Sequence, residues 1–522
     1  MSCTCTLLLL YLLLHAHRIH GMIVSELIRE FAHLASPAAK LHLSRNSFPA
    51  GFVFGTATSA YQVEGAVKQD GRGKSIWDTY SHRLGNVLDL TNGDTTDDQY
   101  NRYKGDVELM ANMSIDAYRF SISWSRILPS ANQSINHAGI KHYNDVINTL
   151  LSKGIQPYVT LYHWDLPQEL QDKYGGWLHN NIIDDFLLYA NTCFEAFGDR
   201  VKHWITINEP YSFSSQGYAG FGTQAPGRCS FRLRCGEGNS STEPYIVAHH
   251  VLLAHASVVA LYKEKYQAQQ GGMIGITLDS RWYEPLNGTN DEDEKASNRA
   301  LDFHLGWFLD PLIFGDYPNS MKELVGDRLP SLQHINNTKF PLKNSFDFIG
   351  LNHYTTNYVY PGEPSYLIAT IHNINPDGHF DVSYDRNGKS IGSQSHGATW
   401  LYVVPWGFKK LLDYIRVRYN NPPIIITENG YADLNESPLI SLDHALNDLE
   451  RIEYHQEYLS SLLSAIKNGS DVRGYFVWSL LDNWEWALGL IPRFGVYFVD
   501  YMDNLKRYPK KSVAWFQQFL QN

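Results

Sequence analysis

Apolar residues along the chain fall into two alternating kinds of segment. Short runs rich in β-branched and aromatic residues read as strands buried on both faces. They lie at Phe52–Ala57, Ala117–Ser121, Pro157–Leu161, His203–Ile207, Met273–Leu278, Phe346–Leu351, Ile424–Thr427 and Gly474–Trp478. Between several of them apolar positions recur at helical spacing, as in Ile140–Lys153, Ile182–Phe197, Thr242–Gln267 and Pro405–Tyr419. This alternation predicts an α/β fold, a single (β/α)8 TIM barrel with long βα loops walling the functional face. In such a barrel the C-terminal ends of the strands carry the chemistry. The loops at 352–400 and 211–239 are long enough to build that wall.

The start of the chain has a different pattern. Leu7–Leu14 is almost all leucine, too short for a stable membrane span and suited to the apolar part of a secretory signal. Residues 1–21 therefore read as a signal peptide, placing the protein in the secretory pathway, either extracellular (apoplast) or vacuolar. Residues 22–47 form an extension with no assigned function, in which Ser25–Leu34 has the pattern of a short helix. The barrel is expected over 48–522. No other stretch reads as long and apolar enough to cross a bilayer.

Polar and aromatic residues sit where the strand patterns stop. Thr58–Gln62 follows the first run, Tyr162-His163-Trp164-Asp165 the third, Arg281-Trp282-Tyr283 the fifth and Asn352-His353-Tyr354 the sixth. The fourth ends in Asn208-Glu209 and the seventh in Glu428; Trp478 closes the eighth. A bare carboxylate at the end of a buried strand is costly unless paired or used. Two such glutamates suggest a carboxylate pair facing one pocket, against the alternative of unrelated acids bonding to their own loops. Glycoside cleavage needs such a pair, one ionised and one protonated. Arg119 is a candidate cation beside Glu428, or else part of a structural ion pair, and Tyr354 is a candidate hydrogen-bond donor to Glu428.

Two stretches, Thr206-Ile207-Asn208-Glu209-Pro210 and Ile426-Thr427-Glu428-Asn429-Gly430, resemble the signature motifs of family 1 glycoside hydrolases. Phe54–Gly65, Tyr118–Arg126, Leu161–Pro167 and Asn483–Trp486 match further motifs in order, so the resemblance spans the chain from about residue 48. The segment Trp400–Gly407 resembles the plant β-glucosidase branch. The resemblance implies a retaining β-glucosidase that releases terminal β-D-glucosyl residues from O-glycosides through a covalent glucosyl-enzyme intermediate. Glu428 would be the nucleophile and Glu209 the acid, then base. Gln62, His163, Asn208, Glu485 and Trp486 would hold the sugar hydroxyls, Trp478 would floor the sugar site, and Trp400 would be a platform for the leaving group. Thioglucoside-cleaving relatives carry Gln in place of the acid, and relatives acting on phosphorylated sugars lose the acid of Asn-Trp-Glu-Trp. Glu209 and Glu485 are both present, which implies an unphosphorylated O-glucoside with a hydrophobic aglycone. An acyl-glucose-dependent transglucosidase would use the same intermediate; a catalytically dead carbohydrate-binding protein is the reading from another class. The chain departs from the family at Asn101 and Gly105, where His and Glu are common, and in a compressed spacing of Cys229 and Cys235.

Composition adds limits. The chain has 522 residues and a formal charge of −11, with no basic cluster inviting nucleic acid. Its 33 Tyr and 13 Trp suit sugar-stacking platforms, though most must serve the core. Of five cysteines, Cys229 and Cys235 share a loop and read as a local disulfide; a zinc site would need ligands not evident in the sequence. Cys193 reads as a buried thiol. Glycosylation sequons stand at Asn112, Asn132, Asn239, Asn287, Asn336, Asn435 and Asn468. Gly71–Ser75 lacks the glycine of a phosphate loop, His249 and His250 cannot share a helix face as ligands, and Asp291–Glu294 reads as a solvated acidic turn. No metal or organic cofactor is expected, no membrane partner is called, and the oligomeric state is open.

Overall fold

A computed structural model describes residues 43–132, 134–332, 341–362, 377–435 and 441–521. The leucine run, the Ser25–Leu34 segment and Asn336 lie outside them. The compact unit that carries the site runs from Ser44 to Asn522. Its lead-in residue Arg45 holds Asp116 at 2.8 Å, just before the second strand.

The eight predicted strands are all present and close into one parallel barrel: β1 Val53–Ala57, β2 Ala117–Ser121, β3 Gln156–Tyr162, β4 His203–Asn208, β5 Met273–Asp279, β6 Phe348–Asn352, β7 Ile424–Asn429 and β8 Val472–Trp478. Each strand pairs with its neighbours in sequence, and β8 returns to β1. The strands are buried on both faces because side chains fill the interior and helices cover the exterior. Every residue of β7 is buried, including Thr427, Glu428 and Asn429.

Register decides which polar residues become neighbours. Ala57 of β1 lies between Trp478 of β8 and Arg119 of β2. Asn352 of β6 pairs with Asp279 of β5 on one side and Glu428 of β7 on the other. The β6–β7 register shifts between Ile426 and Glu428, an irregularity of the kind that re-aims a side chain near a site. Gly430 follows because the β7 backbone passes close to β8: an added Cβ would stand 1.9 Å from the Trp478 carbonyl oxygen.

The predicted helices appear at His137–Ser152, Asn181–Phe197, Glu243–Leu261 and Pro405–Arg418, the third continuing through a π-turn at Tyr262–Tyr266 to Gln270. Two expectations are corrected. The helix Glu243–Gln270 is long and apolar enough to cross a bilayer by length and composition, but 67% of its most apolar stretch is buried inside the protein. Its Glu243–Leu261 portion is apolar on most faces because it is a core helix, whereas Lys263, Glu264 and Lys265 are exposed. Asp291–Glu294, solvent-exposed except at Asp293, is not a turn but the start of helix Asp291–Leu301, capped by Asn290. Acidic residues are favoured there by the helix dipole, and Asp293 is buried, accepting from the Asn287 amide at 2.7 Å. Asn101 and Gly105 are exposed on helix Gln99–Met113. Cys229 and Cys235 form a disulfide, and Cys193 is a buried free thiol.

Candidate active site

Glu209 and Glu428 project from strands on different sides of β5 and β6 and are linked by one hydrogen-bond network. Arg119 Nη1 donates to Glu428 Oε1 at 2.5 Å, and its Nη2 donates to Asn208 Oδ1 at 2.6 Å. Asn352 Nδ2 donates both to Asn208 Oδ1 at 3.2 Å and to Glu209 Oε1 at 2.7 Å. Thr427 holds the other end of the Asn352 amide at 2.7 Å. Tyr354 completes the surroundings of Glu428, its hydroxyl donating to Oε2 at 2.7 Å. The two carboxyl groups thus stand at opposite ends of the chain Glu209–Asn352–Asn208–Arg119–Glu428.

Local sequence explains the aim of Glu209. It precedes Pro210, which opens helix Pro210–Gly217 at a position suited to proline's fixed φ and missing N–H. Between strand and helix, Glu209 adopts φ 47°, a left-handed conformation costly for a residue with a Cβ and concentrated at functional sites. Trp164 and Trp486, both at the same mouth, also have positive φ, at 74° and 54°.

The electrostatics separate the two acids. Burial pushes Glu209 well above the ordinary carboxylate range, and the charges of Asp279 and Glu428 push it further. Glu428 is also raised by burial, but Arg119 and the Tyr354 hydroxyl oppose the rise. Glu209 is therefore the group that holds its proton and Glu428 the one that gives it up first, the division that acid–nucleophile chemistry requires.

The other predicted residues converge on this pair. His163 is buried; its Nε2 faces Asn208 Nδ2 at 3.1 Å and accepts from it, and burial next to Arg119 keeps the ring neutral. Its ring lies 6.1 Å from Trp478 and 5.9 Å from Trp486, stacked in both cases. Trp478 Nε1 donates to Glu485 at 3.2 Å, and burial raises that carboxyl to about 8. Gln62 is fully buried, its amide donating to Asn483 Oδ1 at 3.0 Å and to the Trp484 carbonyl at 3.1 Å. Trp400 packs edge-on against Tyr354 with centroids 5.7 Å apart. Of the sequons, Asn112, Asn132, Asn239, Asn287 and Asn468 are exposed, whereas Asn435 is half-buried with its amide bonded to the Leu490 carbonyl at 3.1 Å.

Two residues escaped assignment from sequence. Asn352 was visible only as one of many polar strand ends; its bridging role needs the β4–β6 geometry. Asp279 ends an apolar strand just as the two glutamates do, and that signal was there to be used. It accepts from the Ser212 hydroxyl at 3.1 Å and contacts His304 Nε2 at 2.8 Å, while His304 Nδ1 meets the Tyr283 hydroxyl at 2.8 Å.

Comparisons agree with this geometry. Residues 44–522 match the profile of Glycosyl hydrolase family 1. Beta-glucosidase 40 of Arabidopsis thaliana is 57% identical over 481 residues, covering 92% of this chain and 93% of its own. Coniferin beta-glucosidase of Pinus contorta is 53% identical, with 92% and 93% covered. The crystal structure of rice Os3BGlu6 beta-glucosidase superposes with a TM-score of 0.89 at 54% identity, covering 92% of this chain and all of that one. A mutant of the same rice enzyme has been solved in a covalent complex with glucose from GA4GE. With the motifs, the barrel and the paired carboxyls in agreement, this chain belongs to glycosyl hydrolase family 1.

Proposed function

We propose that the protein is a retaining β-glucosidase, acting on terminal β-D-glucosyl residues of O-glycosides with a hydrophobic aglycone. The observation that carries this reading is the network joining a proton-holding Glu209 to an arginine-paired Glu428. In the first step Glu428 attacks the anomeric carbon while Glu209 gives its proton to the departing glycosidic oxygen. The bond to the aglycone breaks as the glucosyl–carboxylate bond forms. Glu209, now ionised, takes a proton from water, whose oxygen attacks the same carbon and frees Glu428. Two inversions leave the anomeric configuration as it began. Asn208, fixed between Arg119 and Asn352, addresses the 2-hydroxyl. Gln62, His163, Glu485 and Trp486 hold the remaining hydroxyls over Trp478. Trp400, beside Tyr354, meets the aglycone. The family relationship to plant enzymes, the leucine-rich start and the Cys229–Cys235 disulfide support entry into the secretory pathway.

The test is kinetic. Glu428→Ala is expected to lose aryl β-glucoside hydrolysis by about a thousandfold or more. Glu209→Gln should keep glycosylation only with leaving groups that depart without a proton, and proton NMR should show β-glucose as the first product of the wild type. Normal turnover by Glu428→Ala, or α-glucose appearing first, would overturn the assignment.

A further inference from the structure

Arg281 lies just beyond β5, and neither the proposed mechanism nor the sugar site uses it. Its guanidinium carbon stands 5.8 Å from the centroid of the Trp400 ring. Trp400 in turn packs on Tyr354, which holds Glu428. A permanent positive charge is therefore placed on the leaving-group side of the nucleophile, at the platform where the aglycone would lie.

The charge has no counter-ion among the described residues. Arg281 Nη1 donates to Asn357 Oδ1 at 2.9 Å and to the Tyr384 hydroxyl at 3.3 Å, both neutral acceptors. The other titratable groups beside it stay neutral in the working range: the hydroxyls of Tyr211 and Tyr283 are pushed upward by burial. Nε and Nη2 make no hydrogen bond to the described residues, and the residue as a whole is only half-buried. Those two atoms form the side-on edge of the guanidinium, which accepts both oxygens of a carboxylate in parallel. An arginine half-buried among aromatic rings is costly without such a partner, because burial disfavours an unpaired charge.

We infer that Arg281 is a specificity-determining residue that selects aglycones bearing a carboxylate, the aromatic body of the aglycone resting on Trp400 and its acid group on the Nε–Nη2 edge. The inference rests on the β-glucosidase reading and narrows its substrate class, from hydrophobic aglycones in general to aromatic acids glucosylated on a hydroxyl. Attraction to the acid group does not alter the chemical step, so the effect belongs in KM more than in kcat.

The experiment compares 3- and 4-carboxyphenyl β-D-glucosides with their carboxamide counterparts, which match them in size and lack the charge. The wild type should favour the acid over the amide by about tenfold in kcat/KM for at least one pair, mainly through KM. Arg281→Met should bring that ratio to about one, and Arg281→Lys, which keeps the charge but loses the fork, should fall between. A wild type that favours neither acid, or a preference that survives Arg281→Met, would overturn the role of Arg281 while leaving the β-glucosidase reading intact. Failure to cleave any of the four while an uncharged aryl β-glucoside is still turned over would overturn the role of Arg281 alone, and failure on that glucoside as well would overturn both. The wild-type comparison decides even if Arg281→Met does not fold.

Discussion

Asp279 shows how one carboxylate can set the working range of another. It faces Ser212, His304 and the Glu209 side of the pocket, and its charge adds to the burial that keeps Glu209 protonated. Replacing it by Asn removes a negative charge beside the acid, so the pKa of Glu209 falls. The alkaline limb of the kcat/KM profile, where the acid loses its proton, should move to lower pH in Asp279→Asn, while the acid limb, governed by Glu428, stays closer to its wild-type position. A profile measured with a poorly activated glucoside checks this; an unmoved alkaline limb would show that burial alone sets the proton. At this scale residue identity was largely legible. Glu209, Glu428 and Arg119 were singled out because charged groups ending or lying within apolar strands are costly without a use. Asn352 and Asp279 were not assigned, because an amide or an acid at a strand end acquires its role only from the residue across the register.

Elements brought these side chains to one mouth. The strand predictions matched the barrel because continuous β-branched runs are a direct consequence of burial on both faces. Helix Glu243–Gln270 was expected as a barrel helix but not as one long and apolar enough to cross a bilayer; length and apolarity describe a core helix and a membrane span alike, and its burial inside the protein separates them. The acidic cluster at Asp291 misled for a related reason: charge density suggested a solvated turn, whereas the helix N-terminus is itself a favourable place for acids. The loop between Pro210–Gly217 and Glu243–Leu261 is held by the Cys229–Cys235 disulfide, with a sequence separation of 6. Cys229→Ser is expected to destabilise the protein by about 2 kcal/mol, the entropy of a short closed loop. Thermal melts with and without a reductant read this directly. The reductant should lower the Tm of the wild type and leave the variant unchanged, and equal melting of both under all conditions would count against a stabilising bridge.

Across the whole molecule, a buried ionic cluster ties the C-terminal segment to the loop after β8. Asp482 is fully buried and accepts from Lys510 Nζ and from Arg493 Nη1, each at 2.7 Å. Burial alone would raise its pKa, but Lys510 and Arg493 outweigh it, so the carboxyl sits below its usual range. A depressed carboxyl contributes stability that is present above its unfolded value near 4 and is lost as pH falls through the folded value. Asp482→Ala leaves two cations buried without their partner and should cost about 3 kcal/mol or more at neutral pH. The penalty should shrink in acid, where the wild-type carboxyl is protonated too. Denaturant unfolding at neutral and acidic pH measures both, and equal stability of the two proteins at neutral pH would show the cluster to be dispensable.

The chain alone determined the barrel, the position of two glutamates at strand ends and the motifs that group this protein with its family, because all three follow from local pattern: strand burial, turn chemistry and residue type at a strand end. Only the tertiary structure decided that Asn352 joins Glu209 to Asn208, that Asp279 biases Glu209 and that Arg281 faces Trp400 with no carboxylate partner among the described residues. These depend on the register between β4, β5, β6 and β7 and on the folding of distant loops over one mouth. Such contacts join residues far apart in sequence, and no local periodicity encodes them.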